Sequence, residues 1–148
     1  MLLEASVEID APPDAVFRFF EEIDDHYEEW HPDHLTFRWV SRDGLEAGAE
    51  AYFEERIGGE LHERTIRYTT VEPNRYIEFE PTGRLIGFFL PHISFTIDPV
   101  ERGCRVTQRI RVRTGPIGKR LNRREFDAVR EHMHEEGENL KQLVERAL

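Results

Sequence analysis

One cysteine in 148 residues, Cys104, excludes an internal disulfide. It alternates with Val106, Ile110 and Val112, which marks a strand and a buried thiol rather than a nucleophile. Long apolar runs are also missing. The longest, Leu85 to Pro91, is far too short to span a bilayer. Met1-Leu2-Leu3 is followed at once by Glu4, so no secretory leader is expected. Positive charge is scarce as well: 20 Lys and Arg stand against 30 Asp and Glu, a net charge of −10 with a pI near 5.2. Nucleic acid and anionic membranes both select a basic face, so neither is expected as a partner. These absences point to a cytoplasmic protein, monomeric or homodimeric.

What is present suits one domain with a real core. Hydrophobic content is 39% and charged content 34%. Seven histidines are many for this length, and His26, His31 and His34 fall within nine residues. Leu3 to Asp10 alternates as a strand, and Pro12-Pro13 opens a short helix carrying Val16, Phe17, Phe19 and Phe20. A second short helix or turn covers Asp24 to Trp30. Leu35 to Ser41 reads as a strand with Leu35, Phe37 and Trp39 on one face. A meander follows: Ala49 to Ile57, a Gly58-Gly59 hairpin, Glu60 to Val71, then Arg75 to Glu80. Gly83 to Leu90 fits no element. His92 to Asp98 and Cys104 to Thr114 complete the strands.

The last stretch, Ile117 to Leu148, reads as one long helix. Leu121, Val129, Met133, Leu140, Val144 and Leu148 recur at three- and four-residue steps, and Gly115-Pro116 precedes them. With His132 at zero on the helical wheel, Glu136 falls near ~40°, Leu140 near ~80° and Met133 near ~100°. His132 and Glu136 therefore lie inside the apolar stripe. His134 and Glu138 have the same spacing but point away, at roughly 200° and 240°, as a solvated ion pair would. A buried imidazole beside a buried carboxylate demands a reason, since unpaired burial of either is costly. They satisfy each other across one turn, face a wet cavity, or share a metal.

Two further groups could join them. Glu55 shares the face of Ala51, Phe53 and Ile57, whereas Glu50 and Glu54 lie on the other. It is either the partner of a buried arginine, Arg64 or Arg67, or a functional acid aimed at the long helix. His34 stands where the His26–His34 segment enters the sheet. That segment is either a decorated surface loop or the rim of a site. Imidazoles and carboxylates together suit zinc, manganese or iron(II).

The element order is a strand, two short helices, about six antiparallel strands and a long terminal helix, an α+β arrangement. Only that helix is long enough to cover the apolar face of the sheet. A curved antiparallel sheet wrapped around it would enclose a cavity. The order resembles the START superfamily, also called the polyketide cyclase-like or SRPBCC group, with its helix-grip fold. Val7-Glu8-Ile9-Asp10-Ala11-Pro12-Pro13-Asp14-Ala15-Val16-Phe17 and Val71-Glu72-Pro73-Asn74-Arg75 carry the resemblance. It implies a cavity for a small hydrophobic molecule and no single activity.

A narrower resemblance rests on Trp30-His31-Pro32-Asp33-His34, on Glu54-Glu55-Arg56-Ile57-Gly58-Gly59-Glu60-Leu61, and on His132, Glu135-Glu136 and Asn139-Leu140. These look like the zinc-dependent diacetylphloroglucinol hydrolase family. That resemblance implies a metal held by His34, Glu55, His132 and Glu136, and hydrolysis of a carbon–carbon bond to an acyl group. It places Tyr27 near the substrate as a proton donor. His92 is out of step with Ile93, Phe95 and Ile97 and reads as a surface residue. Two other functions stay open: a carrier of a small apolar ligand, and a metal-free cyclase or dehydratase. Phe88, Phe89 and Leu90 are core, an apolar lip or a dimer contact.

Overall fold

The computed structural model describes residues 1–40, 44–82, 92–112 and 123–148. Strand β1 (Leu2–Ile9) leads into helices α1 (Pro13–Glu21) and α2 (Ile23–Trp30). Six strands follow: β2 (His34–Trp39), β3 (Glu50–Ile57), β4 (Glu60–Glu72), β5 (Tyr76–Pro81), β6 (His92–Val100) and β7 (Gly103–Arg111). Helix α3 (Arg123–Arg146) closes the chain. The seven strands form one antiparallel sheet in the order β1-β7-β6-β5-β4-β3-β2, so the first strand pairs with the last. This is the expected helix-grip architecture.

Alternation builds the sheet's inner face. Leu3, Val7 and Ile9 of β1, Ala51 and Phe53 of β3, Ile66 and Tyr68 of β4, and Cys104, Val106 and Ile110 of β7 are all buried. Helix α3 lies against β1 and reaches α1, α2, β3 and β7. It buries Phe126, Met133, Leu140 and Val144 together with His132 and Glu136. Helix α1 starts at Pro13, where a missing N–H costs nothing, and buries Val16, Phe17, Phe19 and Phe20.

Tight turns set the strand order. Gly58 and Gly59 take φ of 60° and 83°, as a two-residue hairpin with matching twist requires. Gly103 opens β7 at φ 100°, and a Cβ there would meet the Ile9 carbonyl oxygen at 2.1 Å and the Ala11 nitrogen at 2.8 Å. The start of β7 can approach β1 this closely only as glycine.

Several expectations change. β2 begins at His34 rather than Leu35, and a bulge lies between His34 and Thr36. Leu148 is exposed because α3 ends at Arg146. His134 and Glu138 are exposed as expected, but they form no ion pair with each other among the described residues. The predicted helix start at Ile117, Leu121, the Gly83–Leu90 segment with Phe88, Phe89 and Leu90, and the strand ends at Ser41 and Thr114 lie outside the described residues.

Gly103→Ala is expected to destabilise the fold by about 2–4 kcal/mol, since strain and a backbone clash combine. Gly59→Ala, which meets open space, is expected to cost only about 1–2 kcal/mol of backbone strain. Urea unfolding of both variants checks the difference.

Candidate functional site

Four of the predicted residues meet at one point. His34, Glu55, His132 and Glu136 each turn one ligand-type atom inward, and those atoms lie within 4.8 Å of one another. His34 Nε2 is 3.0 Å from Glu136 Oε2 and 3.5 Å from Glu55 Oε2. His132 Nε2 is 3.3 Å from Glu55 Oε2 and 3.5 Å from Glu136 Oε1. His34, His132 and Glu136 are buried and Glu55 is half-buried.

Each side chain arrives by a different local device. Glu136 follows His132 by one helical turn on the inner stripe of α3. Glu55 faces inward on β3 in step with Phe53. His34 would face away from Phe37 by simple alternation. The bulge adds Leu35 as an extra residue, so that His34 pairs with Glu55 while Phe37 pairs with Phe53. Both side chains then share the inner face.

Trp30 fixes the distance between the two halves. Its indole N–H donates to the Glu136 carbonyl at 2.9 Å, and the Asn139 side-chain amide donates to the Trp30 carbonyl at 2.9 Å. The end of α2 is thereby clasped to α3 at the turn that carries Glu136. Tyr27, one turn earlier on α2, stacks on the His34 ring with centroids 4.1 Å apart. Its hydroxyl donates to Glu55 Oε2 over a long 3.5 Å contact.

The ring nitrogens and carboxylates of the cluster are a set that could hold a metal ion. The Tyr27 carbonyl can only accept, so His34 Nδ1, 2.9 Å away, carries a hydrogen and Nε2 is the atom left facing the carboxylates. His132 Nε2 is buried and has no aligned hydrogen-bond partner, although Glu55 is near. Burial alone would lower the His132 pKa. Contact with Glu55 and the charges of Glu136 and Glu55 outweigh it and raise it to about 9. Burial would raise the Glu136 pKa, but the hydrogen bond with His34 and the charges of His34 and His132 hold it below the ordinary carboxylate range. The Glu136 carboxylate is thus held charged by the imidazoles that face it. Two imidazole nitrogens and two carboxylates are a donor set that zinc, manganese or iron(II) accepts.

Beside the cluster lies a cavity of about 70 Å³, walled by Phe20, Phe37, Phe53, Phe79 and Phe95 and floored by Tyr27, Glu55, His132 and Glu136. Burial, followed by the Glu55 and Glu136 charges, pushes the Tyr27 phenol far above its ordinary range, so it stays protonated and keeps its O–H as a donor.

The described contacts bring neither candidate arginine to Glu55: Arg67 pairs with Glu50 at 2.9 Å, and Arg64 donates to the Glu63 carbonyl and to His62. His92 is exposed and faces Glu80 at 3.4 Å. Two residues were passed over. His31 is buried, and its ring centroid lies 4.3 Å from that of His132. The Asp33 N–H donates to His31 Nδ1, which puts the ring hydrogen of neutral His31 on Nε2, where it makes no hydrogen bond although Glu135 Oε1 lies 3.5 Å away. His31 thus packs against a cluster member rather than completing the set. Gln108 is buried and lines the cavity. Its parity with Cys104, Val106 and Ile110 was a usable signal.

Comparison with known proteins fits this architecture. Residues 2–145 match the family described as polyketide cyclase / dehydrase and lipid transport. Among curated proteins no sequence matches the chain. Among solved structures, TTHA0849 from Thermus thermophilus is similar at 18% identity and a TM-score of 0.79, with 99% of each chain covered. A norcoclaurine synthase point mutant from Thalictrum flavum, in complex with a transition-state analogue, is similar at 11% identity and a TM-score of 0.77, over 99% of this chain and 95% of that one. Ara h 8.0201 gives 11% and 0.74, over 97% of each. At these identities the likeness is one of fold.

Asn139→Ala is expected to cost about 1 kcal/mol in urea unfolding, because it leaves the Trp30 carbonyl without its partner. His134→Ala, on the exposed face of the same helix, is expected to stay within about 0.5 kcal/mol.

Proposed function

The chain belongs to the polyketide cyclase / dehydrase and lipid transport family, and within it we propose a divalent-metal-dependent hydrolase that cleaves the carbon–carbon bond between an acyl group and a phenolic or polyketide-like ring. The observation that carries this reading is the convergence of His34, Glu55, His132 and Glu136 on one point at the floor of an aromatic cavity. The two-His, two-Glu pattern and its order along the chain support the resemblance to the zinc-dependent diacetylphloroglucinol hydrolases. Zinc is the expected ion.

An ion held by those four residues would supply Lewis-acid polarisation of the acyl carbonyl and a more acidic water. The rest falls to the chain. The phenylalanine walls hold a flat apolar ring and exclude bulk water. Water adds its oxygen to the acyl carbon, and the bond from that carbon to the ring breaks. The electron pair goes to the ring carbon, which takes a proton, so the products are a carboxylic acid and the deacylated ring. Tyr27, protonated and inside the cavity, is placed to give that proton and to recover one from the attacking water. Four protein donors would make a closed structural site, so one of them has to yield. Glu55 is the more exposed carboxylate, its side chain 15% accessible against 9% for Glu136, and it faces the cavity. It is the donor we assign to move.

Metal analysis by plasma mass spectrometry on tag-free protein tests this. About one divalent transition ion per chain is expected in the wild type, and none in His132→Ala. Hydrolysis of acetylated polyphenols should accompany the ion and stop on chelation. Protein that holds no ion after incubation with zinc and desalting overturns the proposal. Activity that survives chelation indicates the metal-free cyclase or dehydratase instead. Ligand binding without turnover, unchanged in His132→Ala, indicates a carrier.

A further inference from the structure

The cavity has a second lobe. A space of about 250 Å³ opens beside the inner one and shares Phe53, Glu55, Ile57, Ile66, Ile93 and Val129 with it. The two lobes together reach the lower end of small-molecule pockets, roughly 300–1,000 Å³. The outer lobe adds an arginine, Arg64, beside His62, and one acid, Glu125, that the inner lobe does not have. His62, Arg64, Ile66 and Tyr68 lie on the inner face of β4 by alternation, and Ile66 and Tyr68 are buried core. Arg64 is half-buried on that face and lines the lobe. Among the described residues it is the only lysine or arginine lining either lobe.

Arg64 also lacks what a half-buried arginine ordinarily has. Its guanidinium donates to the Glu63 carbonyl at 3.1 Å and to His62 Nδ1 at 3.3 Å. Among the described residues it forms no ion pair with a carboxylate, in a protein with a net charge of −10. These contacts leave most of its five donors and all of its charge without an anion. Register puts it close to the cluster. Arg64 pairs with Phe53 and His62 pairs with Glu55, so Arg64 sits one inward step along the strand from the cluster residue Glu55, about 7 Å.

From this we infer that the cavity takes an acidic ligand, a flat apolar molecule whose carboxylate or ionised phenol is bound by Arg64 while its apolar body fills the aromatic lobe. Arg64 is then the specificity-determining residue of the pocket. The inference rests on the proposed function only in using the same cavity, and it does not need the metal. Its geometry deepens that proposal: an anionic oxygen at Arg64 leaves a carbonyl elsewhere on the ligand facing the His/Glu cluster.

Isothermal titration calorimetry with 2-naphthoate and 2-naphthamide, equal in shape and different in charge, tests the inference on the full chain. Wild type should bind the acid about tenfold tighter than the amide, as a charge-assisted guanidinium contact provides. Arg64→Gln should bring the acid down to the amide's affinity and leave the amide unchanged. Arg64→Lys should keep part of the preference, and matching thermal melts show that the variants fold. His132→Ala should retain the preference whether or not metal is present. A preference that survives Arg64→Gln but vanishes in His132→Ala places the acid on the cluster; it overturns the inference and leaves the metal reading standing. Equal binding of both compounds to wild type, or binding of neither, overturns it as well. If the preference depends on Arg64 and the protein holds no metal, the acid pocket stands and the hydrolase reading falls.

Discussion

A carboxylate taken out of water has to be met by positive charge or by hydrogen bonds, and Glu136 is the carboxylate this structure is arranged around. It sits on the inner stripe of α3, buried, with His34 Nε2 3.0 Å from one oxygen and His132 Nε2 3.5 Å from the other. An unpaired charge in such a place costs several kcal/mol. Each neighbouring feature bears on that requirement. The α2 terminus is clasped to α3 through Trp30 and Asn139, the β2 bulge turns His34 inward, and β3 brings Glu55 to the same point. These elements come from widely separated parts of the chain, so the site exists only in the folded sheet-and-helix arrangement.

The fold explains why a charged cluster and an apolar cavity occur side by side. A sheet curved around a helix cannot fill all the space between them. Phenylalanines and tyrosines from β2 to β6 line what remains. The aromatic wall lowers the local dielectric and strengthens every interaction among the four polar residues. The same wall serves a carrier, a cyclase or a hydrolase, and for that reason the shared fold does not choose among them. Any choice among them rests on the polar residues of the floor and, among the described residues, on Arg64 of the outer lobe.

Much of this was legible in the sequence where periodicity carried it. The wheel separated His132 and Glu136 from His134 and Glu138 because a long helix keeps its phase. Alternation placed Glu55 inward because β3 is regular. It failed where the backbone breaks phase. The bulge at Leu35 moved the start of β2 to His34 and gave His34 and Phe37 a common face that no even spacing would assign. The burial of His31 beside His132 follows no periodicity, because it lies in the loop between α2 and β2, where the Asp33 N–H donates to its Nδ1. Leu148 kept the helical phase on paper but stands past the helix end. For Glu55 the sequence leaves open a buried arginine partner, Arg64 or Arg67, or a functional role. The residues that occupy Glu55 instead, His34, His132 and Tyr27, come from distant segments, and only the tertiary arrangement brings them there.

The central claim is that the four converging side chains form a site for one divalent ion. Diffraction data collected at the zinc absorption edge from zinc-soaked crystals test it most directly. The account predicts a single strong anomalous peak about 2.0–2.2 Å from His34 Nε2, His132 Nε2 and oxygens of Glu136 and Glu55. An empty centre, with His34 still bonded to Glu136 and zinc only on the surface, would contradict it and leave the cluster as a proton-balanced polar floor of a ligand cavity.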